Sequence, residues 1–330
     1  MSMNRNQWLI TGCIGVAGII LPFGVESPVW MTVLNLFYYY AILSISWNIV
    51  FGYAGLFSFG HVAFAAVGGY ASGLVVIHLG LSPFWGLLIG GFSCALIGMV
   101  LGGIVLRVRG FYLCLLTWAF AEVVNVVIKT EHQITGGTGG LITPGFFSGD
   151  KADFYSYFVG LGLFLLMFVF SALLFHSRPG LYLFAVRDDL DAAETMGVNT
   201  RLWKVLGFAC GGFWAGVAGA YYAHFFGLID PSIGGLDEMG KICLMVIVGG
   251  VGTVYGPLLG TFFVVILSEV IRGSLAEMNL LIFALVMILT MRFVRGGFME
   301  LIQMANPWIK ALLPKGPSRK DAPSSHGKEM

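Results

Sequence analysis

The chain has 330 residues, of which 58% are hydrophobic and 11% charged, with a formal net charge of +1 and a mean hydropathy of +0.87. A soluble domain carries about 25% charged residues, so this chain cannot cover an aqueous surface and reads as an integral membrane protein. No basic, aromatic-interleaved stretch points to nucleic acid, and five cysteines without a CxxC pair point to neither a disulfide framework nor a zinc site.

A helical span needs about 20 mostly apolar residues. The first candidate, about 8–24, follows Arg5. It lacks a small-residue cleavage site and a second apolar run follows directly, so it reads as an uncleaved span. Further spans fall at about 28–50, 61–79, 84–106, 111–128, 154–176, 205–226 and 278–294. The region 240–271 is too long for one span and is interrupted by "GGVGTVYGP" (249–257), giving two short spans at about 240–251 and 256–271. The expected fold is all-α, with about ten transmembrane helices.

Between the second and third spans lies "GYAGLFSFGH" (52–61), where Gly52, Gly55 and Gly60 weaken a continuous helix and Ser58 and His61 add polar groups. With Gly249, Gly250 and Gly252 of the later interruption, it forms one of two Gly-rich breaks at membrane depth. Non-helical backbone survives there only when buried in protein or lining a wet cavity. Such breaks point to a transport pathway; equally, their glycines serve close helix packing. Both readings stand at this point.

On the span at 111–128, Trp118, Glu122, Asn125 and Lys129 follow helical spacing and share one face. A carboxylate at bilayer depth is costly, so Glu122 should face protein or water and have a partner, for structure or for transport. Glu269 has Arg272 one turn away. His61, His132, His176 and His224 are scattered without paired-ligand spacing, so no metal or cofactor is expected. There is no G-x-x-x-x-G-K-[ST], no nucleophile elbow and no acid pair beside a base, so the chain does not read as an enzyme. If ATP drives it, the ATPase is another chain.

Orientation follows from Lys and Arg. With both termini cytoplasmic, the inside receives Arg5, Arg107, Arg109, Arg178, Arg187, Arg201, Lys204, Arg292, Arg295 and five basic tail residues; the outside receives Lys129, Lys151, Lys241 and Arg272. The membrane domain covers 1–294, with an outer loop at 129–153 and an inner loop at 177–204. Residues 295–330 form a basic cytoplasmic tail, rich in Pro, Ser and Lys and partly disordered.

The inner loop holds "RDDLDAAETMG" (187–197), where five of the chain's charged residues crowd together. Asp188 is a natural N-cap and Asp191, three residues on, resembles a capping box. Asp189 and Asp191 complement the positive end of the helix dipole, Ala192 and Ala193 favour helix, and Gly197 stops it. The spacing predicts a two- to three-turn helix with Leu190, Ala193 and Gly197 on one small apolar face and Arg187, Asp191 and Glu194 on another. From spacing alone it is either a docking helix for a cytosolic protein or a solvated connector.

Asp191-Ala192-Ala193-x-x-x-Gly197 resembles the Glu-Ala-Ala-x-x-x-Gly loop of ABC-importer permeases. Together with "NIVFGYAGLFSFGHVAFAAVGGY" (48–70), "LRVRGFYLCLLTWAFAEVV" (106–124), "ITGGTGGL" (134–141) and "IVGGVGTVYGPLLG" (247–260), it is similar to the branched-chain amino-acid permease family of LivH/LivM type, on its LivM side. The likeness covers roughly 30–295. It implies a ten-helix, type II importer permease in the bacterial inner membrane. Such a subunit pairs as a heterodimer with a LivH-type permease, sits on two cytosolic ABC ATPases, and receives cargo from a periplasmic substrate-binding protein. By the same resemblance Arg187, Asp188, Asp189, Asp191, Ala192, Ala193, Glu194 and Gly197 form the coupling helix. Gly136, Gly137, Gly139 and Gly140 of the outer loop face the binding protein, and transport proceeds by alternating access. The chain departs from the pattern at Asp191, where Glu is usual, and at Trp118, where smaller or apolar residues are usual. Leucine, isoleucine and valine are the default cargo, with aromatic amino acids, urea or short amides as alternatives. An ATP-independent secondary carrier is the rival outside the family.

Overall fold

In a computed structural model, the described residues are 5–300 except 26, 107, 109, 150, 273–278, 294 and 295. The expected tail at 295–330, apart from 296–300, lies outside them, as do Arg107 and Arg109 and the side chains of Arg5 and Arg272. The described chain is almost wholly helical: α1 (Arg5–Ile20), α2 (Pro28–Asn48), α3 (His61–Leu79), α4 (Pro83–Val105), α5 (Phe111–Thr130), the short α6 (His132–Thr135), α7 (Ala152–His176), α8 (Arg178–Asp188), α9 (Leu190–Thr195), α10 (Thr200–Phe226), α11 (Leu236–Gly249), α12 (Gly256–Arg272) and α13 (Asn279–Phe293). Each of the ten expected spans coincides with helix to within a few residues.

Six helices among the described residues are long and apolar enough to cross a membrane: α2 with its extension to Tyr53, α3, α4, α5, α7 and α10; shorter apolar helices accompany them. This is a multi-pass membrane protein. Starts are set by ordinary punctuation. Proline occupies the first turn of α2, α4 and α8, where its missing N–H costs nothing.

Small residues hold the centre. Along α4, Gly86, Gly90, Cys94, Gly98 and Gly102 recur every fourth position and are all buried. On α10, Gly212, Gly216, Ala220 and His224 make a matching ridge. A methyl at Gly68, Gly216 or Gly90 would collide with backbone of the facing helix, and one at Gly219 with the backbone of Ala65. These helices therefore meet backbone to backbone, the association that lipid favours because burying apolar side chains gains little there. Several polar groups within the packed centre are paired. Ser72 Oγ lies 2.7 Å from His224 Nε2, whose other ring nitrogen is 2.7 Å from the Pro144 carbonyl. Tyr221 donates to Asn35 Oδ1 at 2.6 Å, and Tyr38 donates to Tyr157 at 2.7 Å.

The loop that follows α5 begins as an ordered cap. Thr135 Oγ1 donates to the Ile128 carbonyl at 2.7 Å and accepts from Gly137 N at 3.3 Å. A 3-10 turn at Gly137–Gly139 follows. After Gly140, the strand Leu141–Ile142 pairs antiparallel with Leu228–Ile229.

Candidate functional site

Four features of the sequence stood out: the acidic inner turn, the two glycine breaks and Glu122. Three of them meet; Glu122 does not.

The inner turn is two helices rather than one. Ser177 caps α8, accepting from Gly180 N at 3.3 Å. Gly180, Leu183, Phe184 and Val186 bury the inner side of α8, and this burial carries the helix through Asp188. The expected N-cap at Asp188 is therefore corrected. Asp188 ends α8, and Asp189, in an extended conformation, caps α9 by accepting from the N–H groups of Asp191 and Ala192 at 3.0 Å each. The predicted two- to three-turn helix shortens to six residues, and Arg187 belongs to the helix before it. Gly197 ends α9 as expected. Its N–H donates to Glu194 O and that of Val198 to Ala193 O, both at 3.0 Å. This closure needs a left-handed residue, and Gly197 has φ +81°.

The expected face of Leu190, Ala193 and Gly197 is also revised. Ala193 turns inward and is buried, while Asp191, Ala192, Glu194, Thr195, Met196 and Gly197 are exposed. Thr200 donates to Glu194 Oε1 at 2.5 Å, tying α9 to the start of α10.

Arg187 connects this turn to the breaks. Its Nε and Nη2 each lie 2.9 Å from Asp188 Oδ1, and its guanidinium carbon sits 5.1 Å from the centroid of Phe184. The remaining terminal nitrogen, Nη1, donates to the Gly52 carbonyl at 2.9 Å. Gly52 lies in a single π-helical turn, Ile49–Tyr53, that extends α2. Such wide turns release backbone groups from the α-helical ladder, and here a cation takes one.

The two glycine breaks, some 200 residues apart in sequence, abut at the same place. Asn48, fully buried, accepts from Gly252 N at 2.8 Å and donates to the Thr253 carbonyl at 2.9 Å. A methyl at Gly52 would fall 2.7 Å from Gly252 N, and one at Gly252 would fall 3.0 Å from both Gly52 O and Arg187 Nη1. Gly252 also has φ +74°, so a side chain is refused by backbone and neighbours alike. A methyl at Gly249 would strike the Gly256 carbonyl, and one at Gly250 would approach Gly296 O at 2.9 Å. Thr253 closes this turn, donating to Gly250 O at 2.8 Å and accepting from Gly256 N at 3.0 Å.

The rest of the first break runs without regular structure between Gly55 and Gly60 and finds its partners in side chains. Trp47 Nε1 donates to Ser58 O at 2.8 Å, Phe59 N to Thr117 Oγ1 at 3.0 Å, and Gly60 N to Ser58 Oγ at 3.2 Å. Gly55 packs directly on Arg187. His61, the first residue of α3, is buried with Nε2 2.7 Å from Ser46 Oγ. Irregular backbone at membrane depth is thus satisfied by protein.

Glu122 and Asn125 part company. Asn125 is buried with Thr117, Ala121 and Ile128 on the packed side of α5, and its Oδ1 has no hydrogen-bond partner. Glu122, Trp118 and Lys129 are exposed on the other side. The shared face expected from spacing holds in helical angle, but the burial boundary of α5 runs along it, covering Asn125 and leaving the other three exposed.

Sequence reasoning missed Asn48 and the reach of Arg187. Asn48 carried a signal, being an amide inside an otherwise apolar span. It also missed Tyr40, Glu238 and Lys241, which are joined in the membrane domain: Tyr40 donates to Glu238 Oε2 at 2.8 Å, and Lys241 pairs with Glu238 Oε1 at 2.5 Å.

Comparison with known proteins places the chain. Residues 29–291 match the family model described as branched-chain amino acid transport system / permease component. The high-affinity branched-chain amino acid transport system permease protein LivM of Escherichia coli (strain K12) is 30% identical over 92% of this chain and 77% of its own length. LivM of Salmonella typhimurium is 30% identical over 82% of this chain and 69% of its own length. The permease protein LivH of Salmonella typhimurium is 26% identical over 67% of this chain and 78% of its own length. No solved structure matches. The chain belongs to the permease-component family of branched-chain amino acid transport systems.

Proposed function

We propose that this chain is one membrane half of an ATP-driven importer for branched-chain or other apolar amino acids, crossing the bacterial inner membrane ten times with both termini cytoplasmic. Its type II permease arrangement is completed by a LivH-type subunit. Two cytosolic ATPases and a periplasmic substrate-binding protein are the other partners. The LivM and LivH likenesses support the pairing of two related permeases.

One observation carries the mechanism: Arg187 sits at the foot of the exposed acidic turn and holds the carbonyl of Gly52, beside Gly252 of the second break. The turn at 187–197 is the coupling element. Asp191, Ala192, Glu194, Thr195 and Met196 offer an exposed surface to an ATPase, while the buried Ala193 and the Glu194–Thr200 bond fix the turn to α10. A push on this turn reaches α8, then Arg187, then both breaks. Two interrupted helices at one point make a hinge for alternating access, since the breaks lack a continuous helical ladder to resist bending. The ordered outer loop around Gly136, Gly137, Gly139 and Gly140 gives the binding protein a firm seat.

The test is biochemical. Tagged chain purified from native membranes should bring down a second permease and an ATPase. The reconstituted complex should import leucine only with ATP and the loaded binding protein. Transport of leucine by the purified chain alone would instead establish a secondary carrier.

A further inference from the structure

The helices that face outward do not all present the same kind of surface. On α4 the exposed side chains are apolar, among them Leu88, Phe92, Leu96, Val100 and Ile104. Lipid tails, themselves apolar, cover such a face without loss. The least covered of the six long spans is α5, with 28% of its apolar stretch buried against 39% for α4, yet its open face is not apolar throughout. At about 100° per residue, Leu115, Trp118, Glu122, Val126 and Lys129 fall on one stripe, and all five are exposed.

Glu122 lies deep in that stripe. At a rise of about 1.5 Å per residue it is roughly 17 Å along the helix from Phe111 and roughly 12 Å from Thr130, inside a hydrocarbon core about 30 Å thick. Lys129, one residue from the helix end, has a stem long enough to carry its ammonium to the interface; Glu122 does not. Among the described residues of the six spans, Glu122 is the one exposed charge away from a helix end, and no described residue gives it a hydrogen bond or an ion pair. A carboxylate at that depth is expensive and faces protein or water rather than lipid. Trp118, one turn away and 44% exposed, is of the residue type that most often anchors protein–protein contacts.

We infer that the 115–129 face of α5 is the contact surface for the second permease of the importer, and that the partner segment seated on it carries a hydrogen-bond donor or a cation opposite Glu122. The inference rests on the reading of the chain as one membrane half of a two-permease importer, and it says which helix meets the other half. Charge argues against a second copy in that place. An isologous contact about an axis normal to the membrane sets both copies of α5 at one depth. There Glu122 would meet another carboxylate, an acceptor without a donor when ionised, and like charges repel. A related but different chain can place Arg, Lys, Asn or Gln there, so this face selects a heterodimer.

Photocrosslinking in native membranes that contain the whole transporter tests the surface. Val126→benzoylphenylalanine is expected to form an adduct with the second permease, and Phe92→benzoylphenylalanine on α4 with lipid only. Glu122→Leu should lower the amount of second permease recovered with the tagged chain about tenfold, the scale of a lost hydrogen bond to a charged group. Glu122→Gln, which keeps an acceptor, should lower it less. Because Glu122 is exposed in this chain, neither variant should reduce the amount of tagged chain inserted, and that amount normalises the recovery. Adducts at Val126 with lipid alone, or with a second copy of this chain, overturn the inference. So does recovery of the second permease by Glu122→Leu at the unsubstituted level. The two-permease reading fails separately, if the unsubstituted chain recovers no second permease at all.

Discussion

Glycine is used in two different ways in this molecule, and the contrast explains how it is built. Along α4 and α10, ordinary helical glycines exist to let backbones touch; at the breaks and at the end of α9, glycines exist because the chain turns. The first group makes a rigid slab, the second the places where that slab can bend or be gripped. What separates them is what a side chain would meet. At Gly219 it meets the Ala65 backbone, at Gly252 both a neighbour and a left-handed conformation, at Gly197 only the conformation, and at Gly103 nothing.

Substitutions should follow that ranking, and each outcome sharpens or breaks it. Gly219→Val is expected to prevent assembly, because neither helix can retreat without opening the α3–α4–α10 core. Overpacking costs typically about 1–3 kcal/mol and occasionally more, and little folded chain should be recovered from membranes. Gly252→Ala should preserve insertion but lower the thermal midpoint in detergent, since strain of about 1–3 kcal/mol falls on the Asn48–Gly52–Arg187 junction. Gly197→Ala should cost about 1–2 kcal/mol, lower the midpoint less than Gly252→Ala does, and show itself mainly as weaker ATPase attachment on copurification. Gly103→Ala should be neutral or stabilising by up to about 1 kcal/mol. If Gly103→Ala proves as damaging as Gly219→Val, the division into packing and turning glycines is wrong.

The helices and the breaks were legible because hydropathy and glycine spacing act locally. The site was legible only in pieces. Asp189 reads as an interior residue because nothing in "RDD" shows that α8 persists through Asp188; that depends on Leu183, Phe184 and Val186 being buried. Glu122 and Asn125 were grouped by helical angle, and angle alone does not say where a neighbour stops covering the surface. Nor could spacing show that Asn48 bonds to Gly252 and Thr253, since that meeting belongs to the tertiary fold. The exposed position of Glu122 yields a further, smaller prediction. Glu122→Gln should leave the thermal midpoint of the isolated chain unchanged, because no partner among the described residues holds the carboxylate there; a large drop would show that one does.

The central claim is that Arg187 transmits events at the acidic turn to the two breaks, and Arg187→Ala in the reconstituted complex tests it most directly. Removing the guanidinium leaves the Gly52 carbonyl without its donor but leaves the capped α9 intact. The account predicts that ATPase attachment and ATP hydrolysis persist while leucine uptake falls about tenfold or more, within the range of coupling free energies between sites. Uptake equal to that of the unsubstituted complex, with hydrolysis unchanged, would contradict it.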